Sequence, residues 1–269
     1  MNSVILKKQL LALALLFITA LAYAESSECP VHYAYGQRPE IINNAIRSGF
    51  KELCSKGFAV GYSPQTRNPI WSAEFITREH LSQKQGLKRI NSFREDTRIA
   101  ESERAFINDY KEANRHLENV SDNEKELYSW DRGHMTPSAD AWSPLVQYET
   151  FVLSNIVPQN SNNNRHLHAA IEKAVRTYVE NVGDVYVITG PIYEGVNIQR
   201  IGVDGGRVAI PTHIYKLVYD PQKMAAAAYL EKNAPGFDYE VLTVDQLNSK
   251  LGIKMLPGVK AQFLELPQP

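Results

Sequence analysis

The stretch Trp130-Asp131-Arg132-Gly133-His134-Met135, with Ser154-Asn155-Ile156-Val157-Pro158-Gln159-Asn160-Ser161-Asn162-Asn163-Asn164-Arg165 downstream of it, decides how this chain is read. Tyr128 to Met135 and Phe151 to Val157 have the pattern of short strands, and His166 to Val182 has that of a long helix stopped by Gly183. Two strands and a helix therefore carry the densest cluster of reactive side chains. His134 is the side chain among them suited to take a proton near neutral pH. Gly133 permits a close backbone approach beside it, and Asp131 or a nearby carbonyl is expected to fix the ring tautomer.

The polar run that follows is costly to bury unless its amides are paired. Neutral oxygens of this kind suit a hard ion such as Mg2+, which keeps most of its waters and takes few protein ligands. On the predicted helix His168, Glu172 and Arg176 follow at intervals of four, which places them on one face and lets Glu172 and Arg176 pair. Asn164 and Glu172 stand about 12 Å apart along a straight helix. Both cannot be direct ligands of one ion unless the helix begins after Asn164, so Glu172 is expected to act through a metal-bound water. A zinc site on His134, His166 and His168 is the competing reading, and it lacks a third ligand at a recognisable spacing.

Working outward, Pro39 to Phe50 is predicted helical, with Ile41, Ile42, Ala45 and Ile46 on one face. Phe58 to Tyr62 and Ile70 to Ile76 read as a hairpin, and Glu101 to Leu117 as a charged surface helix. Val185 to Thr189, His213 to Tyr219 and Ala225 to Leu230 read as strands before a last helix capped by Thr243 or Asp245. This irregular order predicts an α+β fold with a mainly antiparallel sheet. Asp204-Gly205-Gly206 reads as a turn between strands, so no phosphate-cradling loop for a nucleotide cofactor is evident.

The composition is that of an ordinary globular protein: 269 residues, 43% hydrophobic, 29 basic against 30 acidic side chains. A formal charge of −1 excludes a uniformly basic protein that coats nucleic acid by bulk charge, so phosphates must be bound locally. Lys84, Lys88, Arg89 and Arg94 form a basic stretch with no acidic residue. The apolar run Leu10 to Leu21, preceded by Lys7 and Lys8 and followed by Ala22-Tyr23-Ala24, reads as a signal peptide, 1–24, cleaved after Ala24. Its removal takes the charge from −1 to −3 and leaves no membrane segment. Export makes a Cys29–Cys54 disulfide the expected state of the two cysteines, in an N-terminal extension over 25–56.

Asp131-Arg132-Gly133-His134 resembles the signature of the DNA/RNA non-specific endonucleases, the ββα-metal nucleases. The Ser154-Asn155-Ile156-x-Pro158-Gln159 block, then Asn164, Glu172 and Arg176, fall at that family's spacing. So do Arg89 and Phe93-Arg94-x-Asp96 upstream, and Thr189-Gly190-Pro191-Ile192-Tyr193 and Ile210-Pro211-x-x-x-Tyr215-Lys216 downstream. The resemblance implies a ββα-metal nuclease fold over 57–269, with a central sheet flanked by helices. It also implies hydrolysis of DNA and RNA, without strong sequence specificity, to 5'-phosphates. His134 would be the general base, Asn164 the direct Mg2+ ligand, with Mn2+ able to substitute, and Glu172 would act through water. Arg89 would stabilise the transition state, and Arg132, Asn155, Gln159 and Arg176 would shape the site. Arg89, Arg94 and Arg165 would meet the phosphate backbone of the substrate, and the protein would be a monomer or homodimer outside the cytoplasm, secreted or periplasmic. A nucleic-acid-binding or uptake protein on the same fold is the alternative. The chain departs from the family at His168, where many members carry Trp, and at Met135-Thr136-Pro137.

Overall fold

A computed structural model describes residues 27–84, 86–203 and 206–269; the expected signal peptide, 1–24, lies outside them. Nine strands carry the architecture: β1 (Lys51–Cys54), β2 (Ala59–Ser63), β3 (Asn68–Ile76), β4 (Trp130–His134), β5 (Ile156–Asn160), β6 (Val185–Ile192), β7 (His213–Asp220), β8 (Ala225–Lys232) and β9 (Tyr239–Leu242). Seven of them form one sheet in the order β9-β8-β7-β6-β3-β2-β1, antiparallel at every step. Gln262–Phe263 adds an eighth strand parallel to β8. The α+β class and mainly antiparallel sheet expected from the sequence are what is observed.

The central strands read as near-continuous apolar runs because both sheet faces are covered. Alternation still sorts them: Trp71, Ile188 and Leu217 face one core with Leu247 and Leu251, while Val187, Val218 and Tyr229 face the other. On that second face lies the helix Ala169–Val182, which buries Ile171, Val175 and Val179 at intervals of four. Gly183, at φ 111°, ends it. Full burial of each such side chain contributes roughly 1.5–3 kcal/mol. Gly61 marks a shift of register between β2 and β3, and a Cβ there would fall 2.4 Å from the Trp71 ring.

Cys29 and Cys54 form a disulfide, with Cα atoms 5.6 Å apart, that fastens the N-terminal segment to the end of edge strand β1. The segment expected as helix over 39–50 is different: only Asn44–Arg47 is helical, and Glu40–Ile41 pairs instead with Ile253–Lys254. Gly49, at φ 70°, turns the chain into β1, so residues from 25–56 supply one strand of the main sheet. Between Glu101 and Leu117 the α-helix spans only Ile107–Ala113, and Leu153–Asn155 is a 3-10 turn ahead of β5 rather than strand. The Asp204-Gly205-Gly206 turn includes residues outside those described. Thr243 caps the last helix, Val244–Leu251, in a reciprocal box with Gln246.

β4 and β5 stand apart as a two-stranded ladder, with Gly133 opposite Val157 and His134 opposite Ile156. The chain leaves β5 directly into a short helix, Ser161–Asn163, a π-helical turn, Asn164–His168, and the long helix. Strand, strand and helix thus follow one another as the central motifs predict.

Candidate active site

Alternation along β4 places Trp130, Arg132 and His134 on one face and Asp131 and Gly133 on the other. Gly133 is required: a Cβ at that position would lie 2.1 Å from Gln159 Oε1 and 2.5 Å from Gln159 Cβ. His134 is 8% exposed, held edge-on by Phe151 at 4.8 Å and tilted against Phe93 at 5.3 Å. Its Nε2 is buried and has no hydrogen-bond partner among the described residues. Burial, and then the guanidinium of Arg89, pull the ring down to a pKa of about 3, so it is neutral at neutral pH. Asn155 braces the turn that follows, accepting from the Thr136 amide and donating to the Thr136 and Thr150 carbonyls.

Asp131 does not orient His134 as expected, because alternation turns it to the opposite face. It accepts instead from the Asn164 amide at 2.9 Å and from Arg165 through two bonds of 2.8 and 2.9 Å. The first of these bonds fixes which end of the Asn164 side chain is nitrogen and leaves its Oδ1 to meet a hard cation. Eight residues of regular helix would rotate Glu172 about 80° away from Asn164. The π-turn absorbs one residue and returns the two toward a common face.

Glu172 sits within a mostly buried charge network. His168 Nδ1 bonds Glu231, and its Nε2 lies 3.4 Å from Glu172 at ion-pair distance, without hydrogen-bond geometry. Arg176 lies 2.8 Å from Asp140 and 3.8 Å from Glu172. From the other end, Gln159 donates to Asn163, which donates to Glu231. Burial opposes charge on His168, but the carboxylates of Glu231 and Glu172 outweigh it and raise the pKa to about 9. Burial likewise opposes the Glu172 anion, and His168, Lys216 and Arg176 hold it at about 2. Glu74, fully enclosed near Asp140, is pushed well above the carboxylate range by burial and by Asp140.

The expected arginines divide. Arg89 bonds Ser138 and Asn91 and lies 5.2 Å over the Phe151 ring; Arg132 lies 4.2 Å over Phe93. Both line one cleft with Asp131, Asn164 and Arg165. Arg94 is not among its walls: it stacks 3.4 Å over Tyr148 and bonds the Ser92 and Tyr148 carbonyls. His166 pairs with Glu126 on the surface while His168 is buried, so the three-histidine zinc reading does not assemble. Among the described residues no three His, Cys, Asp or Glu side chains gather as a metal cage.

The sequence profile of the DNA/RNA non-specific endonuclease family matches residues 38–262. The chain belongs to this family. Against the mitochondrial nuclease EXOG of Danio rerio it is 31% identical over 237 residues, which cover 81% of this chain and 64% of that protein. Against mitochondrial nuclease 1 of Schizosaccharomyces pombe it is 33% identical over 197 residues, covering 69% and 54%. The chain thus spans about two thirds or less of the length of these relatives. A solved EndoG structure, in complex with EndoGI, shares its fold, with a TM-score of 0.64 at 24% identity over 80% of this chain and 91% of that one. Within the matched residues, Asp131-Arg132-Gly133-His134 lies on β4 and Asn164 opens the π-turn. Ser138, Asp140, Glu231 and Glu74 were not foreseen from the sequence, and Asn163, in the polar run, and Lys216, in the downstream motif, were given no role of their own. Polar residues within apolar strands, as Glu74 and Lys216 are, were the one available signal.

Proposed function

We propose that this chain is an exported Mg2+-dependent endonuclease that hydrolyses phosphodiester bonds of DNA and RNA without strong sequence specificity and leaves 5'-phosphates. The observation that carries the reading is a neutral, buried His134, its Nε2 unpartnered, packed against Phe93 and close to the charge of Arg89, both of which line a cleft that also holds an oriented asparagine. Asn164 Oδ1 would hold the cation directly and Glu172 through an intervening water, and the chemistry supplied there is neutralisation of charge on the leaving 3' oxygen. Mn2+ fits the same oxygen donors.

His134 takes a proton from the attacking water. A pKa of about 3 makes the free ring a weak base, and Arg89 and Arg132 contribute to that depression. A phosphodiester seated between the two arginines offsets their charge, so substrate binding raises the basicity of the ring where it is needed. Arg89, fixed by Ser138 and Asn91, stabilises charge developing on the phosphoryl oxygens. Arg132 meets the phosphate backbone, which carries no sequence information, while Arg165 beside it is paired with Asp131. Gln159, Asn155 and Arg176 hold the hairpin, the turn after His134 and Glu172 in place. Export is supported by the apolar run before Ala24 and by the Cys29–Cys54 bridge. End-group analysis of digested DNA and RNA tests the assignment: 5'-phosphate ends in Mg2+ and no cleavage in EDTA are expected, and 3'-phosphate ends or EDTA-resistant cleavage would contradict it.

A further inference from the structure

The cleft lined by Arg89, Arg132 and Asn164 has a volume of about 680 Å³ and takes in residues beyond those three. Its outer wall is Tyr110, Lys111, Asn114 and Trp130, which belong to or border the Ile107–Ala113 helix and the first residue of β4. Three features of this wall are unused by the chemistry above. Lys111 is exposed and its ammonium makes no ion pair or hydrogen bond among the described residues, whereas Arg165 is spent on Asp131 and Arg132 lies on Phe93. Trp130 packs against the core around Tyr110 and Ile156 but is not fully buried, and its remaining surface lines the cleft, although an indole gains more by full burial. Its backbone is locked on both sides by Asn114, which accepts from the Trp130 amide and donates to its carbonyl, each at 2.9 Å.

Trp130 shares the face of β4 that carries Arg132 and His134, and the four-residue separation is about 13 Å at strand spacing. A base resting on Trp130 therefore belongs to a nucleotide farther along the strand, not to the one being cut. We propose that Trp130 and Lys111 form a nucleotide subsite for single-stranded DNA or RNA, the indole stacking on an unpaired base and the ammonium meeting a phosphate beside it; this rests on the nuclease reading. Stacking on an aromatic face tolerates any base but requires that base to be unpaired. The subsite is thus consistent with weak sequence preference while favouring unpaired over duplex substrate. Asn114 acts as a positioning residue, since it holds the strand that presents the indole.

The test compares wild type with Lys111→Ala, Trp130→Leu and Trp130→Tyr on three substrates: a single-stranded oligonucleotide, the same sequence as duplex, and bis(p-nitrophenyl) phosphate, which is too small to reach the outer wall. Trp130→Leu and Lys111→Ala are expected to raise KM on the single strand about tenfold with kcat nearly unchanged, and to leave the small diester unaffected. Trp130→Tyr should restore most of the loss, and Trp130→Leu should change duplex cleavage much less than single-strand cleavage. Equal losses on the oligonucleotide and the small diester, unchanged KM, or failure of tyrosine to rescue would overturn the subsite. In parallel, anisotropy of a labelled single strand bound to His134→Ala, with and without the second substitution, reads the subsite without turnover. An inactive wild type whose strand binding still weakens tenfold on these changes would retain the subsite and reject the nuclease reading.

Discussion

His168 shows how one side chain can depend on partners far along the sequence. A pKa raised to about 9 in the fold exceeds the ordinary histidine value, so the charged ring stabilises the protein fully below pH 6.5. That contribution is lost as the pH rises through 9. Wild-type stability to urea should therefore fall from pH 6.5 to 9, with His168 contributing up to about 1.4 kcal/mol per pH unit, and His168→Gln should begin lower and remain flatter. Parallel profiles for the two proteins would remove the ion pair from the account. Asp131 gives a second residue-scale test: Asp131→Ala frees the Asn164 amide to rotate, and Mn2+ affinity by calorimetry should weaken about 10–100-fold with the fold retained. Unchanged affinity would mean that Asn164 is oriented by something else. His168, Glu172 and Arg176 were legible as neighbours because helical spacing is local, whereas Glu231 reaches His168 from 63 positions away on β8, and no local pattern announces such a contact.

The strand-strand-helix element was legible because its three parts follow one another in sequence and Gly133 and Gly183 punctuate it. Its phase was not: a π-turn between Asn164 and His168 has no sequence signature, yet it brings Asn164 and Glu172 toward one face. The expected helix over 39–50 failed for the complementary reason. Its apolar residues are drawn into pairing with Ile253–Lys254 and packing on the main sheet, and tertiary contact outweighs a weak local preference. The long helix, by contrast, is held by one apolar stripe. Val175→Ala should cost roughly 1–3 kcal/mol in urea unfolding, because the vacated space lies between helix and sheet; a loss below about 0.5 kcal/mol would show that the stripe does not anchor the helix.

At the scale of the molecule, near-neutral charge and nucleic-acid chemistry are reconciled by placement: the cleft gathers Arg89, Arg132, Arg165 and Lys111 against the single acid Asp131, which Arg165 neutralises. Oligonucleotide affinity should accordingly fall with salt at a slope of about three or fewer phosphate contacts, far below that of a DNA-coating protein, and a slope above about six would contradict a local site. The Cys29–Cys54 bridge fastens the start of the described chain to the sheet edge; reductant should lower stability by about 3 kcal/mol, read as a drop in Tm with two thiols appearing. The central claim is that His134 supplies the base in a metal-dependent cut. Cleavage of supercoiled plasmid in Mg2+ by wild type and His134→Ala tests it directly: the rate is predicted to fall at least about 100-fold, and equal cleavage by the two proteins would contradict the account.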